Sequence, residues 1–387
     1  MSSTQIETPP PPTRPTTDEI ESPLARLSAA EIEELGREFD AIHDEVFADL
    51  GERDANYIHN TIRLHRHLVL AARALLLGSR RKPLLFAGTA ALSIAKILEN
   101  MEIGHNVMHG QWDWMNDPDI NSQNWDWDTA SPADAWRHSH NYEHHTFSNI
   151  RGKDRDLGYE IMRIDPHQKW HPIYLAQPFY NLLLMGFFEW GVALHDINFD
   201  AVRSGEKPMP KVKAELKAIG VKARRQVVKD YIAFPALSAA IFDRRSFRAT
   251  LAANFTANIV RNVWAHSIIF CGHFPDQTYT FSEAEVAGET PGRWYVRQLL
   301  GAANIEGGAL FHLLAGNLSF QVEHHLYPDM PSSRYTEIAP RVRDVCHRYR
   351  LPYNTGPLHR QLGNVHRTIL RLAFPGGQPR PKPAPPS

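Results

Sequence analysis

The stretch LLFAGTAALSIAKILENM, Leu84–Met101, runs without a break into EIGHNVMHG, Glu102–Gly110. The first part is long enough to span a bilayer and gathers its polar residues, Lys96, Glu99 and Asn100, at its C-terminal end. An ordinary buried helix has no need of that length. The second part carries His105 and His109, and histidines four apart share one helix face and can grip one metal together. Taken alone such a pair is as readily a chance surface pair, so the rest of the chain has to decide.

Around this unit lie further apolar stretches. His67–Leu77 precedes it across the short loop Gly78–Lys82, which reads as a hairpin, and others cover Pro172–Leu194, Tyr231–Phe242, Ala249–Phe270 and Gln298–Phe320. The mean hydropathy of −0.39 is low for an integral protein, so hydropathy alone leaves a buried-core reading open. Upstream, Ser28 and Glu31 form a capping-box pattern ahead of Ile32, Leu35, Phe39 and Ile42, which predicts an amphipathic helix. Residues 1–23, with prolines unbroken from Pro9 to Pro12 and no apolar signal-peptide segment, read as a disordered lead. Residues 371–387 read as a Pro-rich disordered tail, leaving 24–370 as one domain.

Composition narrows the function. Lys+Arg 42 against Asp+Glu 43 gives no broad basic footprint, so nucleic acid is not an expected partner. Two cysteines, Cys271 and Cys346, exclude a disulfide framework and a cysteine-ligated metal site. Histidine, with 21 copies, is the conspicuous residue. Beyond the first pair, His138-Ser-His140-Asn-Tyr-Glu-His144-His145 repeats the four-residue spacing between His140 and His144 and places His145 about 100° round a helix, toward a second metal. Gln321-Val-Glu-His324-His325 adds a second tandem pair. Seven histidines exceed what one ion accepts, so two metals are implied. Imidazole suits zinc, copper, iron and nickel alike and does not choose among them.

The clusters HNVMH (105–109), HNYEHH (140–145) and QVEHH (321–325) resemble the three histidine boxes of the membrane fatty-acid desaturase family. GHNVMHGQWDWMNDP, NVWAHSIIFCGHFPD and HHLYPDMPSSRY look most like the acyl-CoA desaturases of mycobacteria, and the resemblance is strongest over 60–335. It implies an all-α fold of integral membrane helical hairpins with a cytosolic helical cap that holds a non-haem di-iron centre. The ligands it implies are His105, His109, His140, His144, His145, His324 and His325, with one further histidine ahead of the third box. His266 and His273 compete for that role. His273 is preferred because Cys-Gly-His-Phe-Pro ends an apolar stretch, where a segment would leave the membrane beside the metals. Gln321, His266 and Asn317 are further candidates, as weak ligands or as groups that orient the ligands. Glu102, Glu143 and Glu323 lie beside box histidines and are candidates for the orienting role too. No catalytic residue beyond the ligands is implied.

All boxes must share one membrane side. The arrangement that achieves this lays Pro172–Leu194 along the interface and pairs Tyr231–Phe242 with Ala249–Phe270 as a hairpin. It also leaves the nine Lys or Arg of Arg203–Lys229 on the cytoplasmic face of a plasma membrane. Trp112, Trp114, Trp125 and Trp127 suit either an interfacial belt or packing inside the cap. The resemblance implies O2-dependent removal of two hydrogens from a long-chain acyl-CoA, Δ9 on stearoyl chains, with front-end regioselectivity kept open by the glutamine of box three. No haem-binding His-Pro-Gly-Gly, Gly-x-Gly-x-x-Gly or ferredoxin-type cysteine run occurs, so electrons from NAD(P)H are expected through a separate reductase of flavin/iron–sulfur or cytochrome type. Two other readings stand beside this one, a lipid hydroxylase on the same scaffold and a zinc-binding membrane protein without redox chemistry.

Overall fold

The computed structural model describes residues 26–382. The expected lead, 1–23, lies outside them, as do 383–387 of the expected tail. The fold is predominantly helical, as the sequence reading required. The exception is a two-stranded parallel ladder, β1 (Asn304–Glu306) on β2 (Thr355–Pro357).

Helix α1 (Ala29–Ala48) starts at the predicted capping box, with Glu31 N–H bonded to Ser28 Oγ and the Ser28 N–H to Glu31 Oε2 at 2.8 Å. Its apolar stripe, Ile32, Leu35, Phe39 and Ile42, is buried, each side chain contributing about 2 kcal/mol. Helix α2 (Glu52–Leu77) turns at Gly78 into α3 (Lys82–Leu98), and the two pack along each other as the predicted hairpin. Helix α3 continues through a π-helical segment, Glu99–His105, into the first box. The second box lies on α4 (Ala133–Trp136) and its π-helical continuation Arg137–His144. Wide i→i+5 turns of this kind concentrate at functional sites.

The apolar stretch 172–194 is not one helix: α5 (Gln177–Gly186) and α6 (Phe188–His195) meet at a break at Phe187. Helix α7 (Met209–Val227) leads through Val228–Ala233 to α8 (Phe234–Ile241), which folds back on α9 (Arg244–His273). Here the turn is tighter than the expected 243–248, because Asp243 caps α9 by accepting from Arg245 N–H at 2.8 Å and Ser246 N–H at 3.0 Å. The 30 residues of α9 span about 45 Å. They pack on α3, burying Asn254, Asn258, Arg261 and Asn262 while Phe255 and Val260 stay exposed.

This inward polar face lowers the mean hydropathy of α9 itself. Among the described residues one helix, Lys82–Met108, is long and apolar enough to cross a membrane on composition alone. Yet Leu70, Phe86, Phe179, Leu182, Leu237 and Phe255, on α2, α3, α5, α8 and α9, are exposed. The tryptophans pack inward: Trp112 and Trp127 are buried, the former near Tyr57 and the latter against Trp136.

Over the bundle sits a second layer of α1, α10 (Pro291–Gly301), α11 (Gln321–Leu326) and α12 (Tyr335–Arg348), sharing one core that includes Leu35, Phe39, Leu299, Val322 and Ile338. Helix α13 (Leu358–Leu372) packs on α9. Arg334 joins the layers. It grips Asp54 with two bonds of 2.7 and 2.6 Å, both side chains being buried, and reaches Asp49 at 2.9 Å and Glu337 at 2.7 Å. Removing the guanidinium strands Asp54 in a site where burial already pushes its carboxyl pKa up. Arg334→Ala is therefore expected to lower unfolding stability in detergent by about 3–5 kcal/mol, and a loss under about 1 kcal/mol would contradict this role.

His43 on α1 makes a pH-dependent tie to the loop after box three. Its Nε2 lies 3.3 Å from Asp329, whose hydrogen bond outweighs burial and raises the ring to about 9. A raised folded-state pKa stabilises fully below the unfolded value of about 6.5, and that stability is lost as pH rises through about 9. The Tm gap between wild type and His43→Gln should accordingly be largest near pH 6 and close by pH 10; a gap independent of pH would refute the tie.

Candidate metal centre

Three elements and one helix end converge beneath the cap. Box one comes from the end of α3, box two from α4 and its continuation, box three from α11, and His273 from the last residue of α9. Donor atoms of His105, His109, His140 and His324 lie within 4.8 Å of one another, and so do those of His144, His273 and His325. Two nitrogens each about 2.1 Å from one ion reach about 4 Å apart, so each set is close to what a single metal draws together. His145 lies between the sets, its ring 4.7 Å from His109, 4.8 Å from His324 and 4.7 Å from His325. A pair of ions held by these eight histidines fits the arrangement.

The buried atoms make the test sharper. Nε2 of His109, His140, His144, His324 and His325, and both nitrogens of His145, are buried without a hydrogen-bond partner. A buried polar atom left unmatched costs about 1–3 kcal/mol, and so many in one place require a ligand. Meanwhile the opposite nitrogens are tied down. Nδ1 of His140 meets Asp156 Oδ2 at 3.1 Å, that of His144 meets Asp154 Oδ1 at 3.0 Å, and that of His105 meets Asn106 Oδ1 at 3.1 Å. His324 Nδ1 faces the Tyr335 hydroxyl at 3.2 Å, and His325 Nδ1 faces Gln298 Oε1 at 3.0 Å. With Tyr335 O–H donating to Tyr327 O and the Gln298 amide donating to His145 O, both partners are left to accept from the rings. Each ring is thereby fixed in the tautomer that offers Nε2 to a metal.

Electrostatics agree. Burial, and then the neighbouring imidazoles, push His109, His145, His324 and His325 well below the ordinary imidazole range, leaving their lone pairs free. His144 goes the other way: burial lowers it, but the Asp154 carboxylate, aided by Asp156, wins and raises it to about 9. A metal that binds there displaces that proton.

The remaining candidates separate. His266, two turns before His273, bonds Asn181 Oδ1 at 3.1 Å and stacks on Phe270, apart from both sets. Gln321 lies 3.1 Å from His273 Nε2, and a Cβ at position 272 would come 2.7 Å from the Gln321 side chain, so only glycine allows that approach. Asn317 donates to Glu102 Oε2 at 3.0 Å and to the Tyr57 hydroxyl at 3.3 Å; Glu102 also accepts from Tyr57 and Ser332. Glu143 pairs with Arg155, and Glu323 accepts from Asn304 and Tyr353, so these glutamates brace the scaffold rather than the rings. The carboxylates that do meet box rings are those of Asp154 and Asp156, which the sequence reading missed. Their only signal was two acidic residues in a short loop after box two, a common pattern until the loop's fold is known.

A cavity of about 60 Å³ abuts the first set, with His105 and His140 at one wall and Met101, Trp136, Tyr159, Phe188, Val192 and Ile269 among the others. Trp136 stacks on His140 at 4.6 Å and fixes that ring from the cavity side. For the orienting carboxylates the expectation is concrete. Asp154→Asn should weaken metal binding at the His144 set by about 10–100-fold in a chelator competition, and unchanged affinity would remove Asp154 from the centre.

The family model described as fatty acid desaturase matches residues 82–357. An NADPH-dependent stearoyl-CoA 9-desaturase of Mycobacterium tuberculosis is 47% identical over 352 residues, 91% of this chain and 82% of that protein. An sn-1 linoleoyl-lipid 6-desaturase of a Synechocystis strain is 25% identical over 71% of this chain and 76% of its own length. Human fatty acid desaturase 3 is 33% identical over 87 residues, 22% of this chain and 20% of that protein. No solved structure matches the chain. The matched span takes in all three boxes and His273, and the chain belongs to the fatty acid desaturase family.

Proposed function

We propose that this chain is an acyl-CoA desaturase that forms a cis double bond at carbon 9 of stearoyl-CoA, with two iron ions held by His105, His109, His140, His144, His145, His273, His324 and His325. The observation that carries this is the set of buried, unpartnered imidazole nitrogens beside an apolar cavity. The choice of stearoyl-CoA rests on the name of the mycobacterial relative. An unactivated methylene has no useful acidity, so its hydrogens yield to redox chemistry, which bound iron supplies with O2 and two electrons and which zinc lacks.

The protein's own share is placement and insulation. The apolar walls favour an alkyl chain over water, and the rigid tautomers of His105 and His140 face that chain. Electrons come from NADPH through a separate reductase. The exposed apolar side chains of α2, α3, α5, α8 and α9 support residence in the plasma membrane, and the basic segment 203–229 supports boxes that face the cytoplasm.

Membranes holding the chain, given stearoyl-CoA, O2, NADPH and a reductase system, should yield oleoyl product whose double bond mass spectrometry places at carbon 9. His144→Ala should abolish turnover while the protein stays in the membrane. A hydroxylated product without alkene would overturn the desaturase reading, and two zinc ions with no activity after iron reconstitution would establish the non-redox one.

A further inference from the structure

Like His266, the buried His195 takes no part in either set of ligands. His195, the last residue of α6, comes from an element that carries no box, and its Nε2 lies 3.0 Å from Asp156 Oδ1. The other oxygen of the same carboxylate holds Nδ1 of His140 at 3.1 Å. Asp156 is thus shared between a box histidine and a histidine outside the boxes.

The surroundings fix His195 as firmly as Asp156. Its Nδ1 lies 3.6 Å from Glu160 Oε2, and its carbonyl accepts from Arg155, which also binds Glu160 and Glu143 at 3.1 Å each. Tyr159, packed 5.3 Å from the ring, is held with Gly158 and Glu160 at positive φ, a conformation that costs a tyrosine or glutamate energy and persists only where neighbours impose it. The segment that follows Asp156 therefore packs against His195 in a constrained conformation.

We infer that His195 is a positioning residue for the ion held by His105, His109, His140 and His324, acting through Asp156 on His140. A carboxylate largely withdrawn from water is held in place by donors on both oxygens, and Asp156, with 16% of its side chain exposed, has His140 on one and His195 on the other. If the His195 donor is lost, the Asp156 carboxylate is free to turn, and its hold on His140 Nδ1–H slackens. The second set is insulated, because its corresponding ring, His144, has Asp154 at 3.0 Å and meets Asp156 only at 3.8 Å. The inference rests on His140 being a metal ligand, and its test reads metal rather than turnover.

The full-length chain in detergent, stripped of metal and titrated anaerobically with cobalt(II), should show two uptake phases by visible absorption. In His195→Leu one phase should weaken by about 10–100-fold while the other keeps its wild-type midpoint. His195→Gln, whose amide can donate to Asp156, should recover most of the loss. If the leucine variant fails to fold, His195→Asn, too short to reach Asp156, replaces it. Wild-type titration of the leucine or asparagine variant, or a glutamine variant as weak as they are, would overturn the inference. Failure of the wild-type chain to take up cobalt would overturn it together with the ligand reading. The predicted cobalt pattern in a chain that forms no double bond would uphold it and remove the desaturase reading alone.

Discussion

Eight imidazoles turned toward one another, most with a ring nitrogen sealed from water and unbonded, are the constraint on which the rest of this structure depends. A folded chain tolerates so many unmatched buried nitrogens only if something else binds them, and neutral lone pairs at this spacing call for metal. The cost of assembling them is met by the packing around them. Each ring has an anchor on its far side or neighbours on its faces, and the five anchors, Asp154, Asp156, Asn106, Tyr335 and Gln298, come from four different segments.

The fold serves that convergence. Hairpin α2–α3 and helix α9 deliver His105, His109 and His273 from the bundle, while the cap closes over them with box three. The backbone is π-helical over Glu99–His105 and Arg137–His144, where boxes one and two lie, which the four-residue spacing alone does not reveal. On α9, Asn254, Asn258, Arg261 and Asn262 find partners inside the bundle, so a helix with a lipid-like outer face carries an average hydropathy typical of a soluble one.

Much of the site was legible in the sequence, because ligand residues cluster locally: His140, His144 and His145 sit on one helix, and His324 and His325 are adjacent. His273, preferred for its place at a helix end, lies with His144 and His325, whereas His266 meets Asn181 and Phe270 within the bundle. What the sequence could not give is contact between distant segments. Asp156 reaches His140 across sixteen residues and His195 across thirty-nine, and no local pattern encodes either. The break at Phe187 and the short β ladder were hidden for the same reason, since both are set by packing rather than by periodicity.

The most direct test of the account is the metal content of the chain purified anaerobically from iron-supplied cells, read by elemental analysis against protein concentration. Two iron ions per chain are predicted, lost together with the ring anchors when the protein unfolds. A single ion, or none in a folded chain, would contradict the claim that these histidines exist to hold a metal pair.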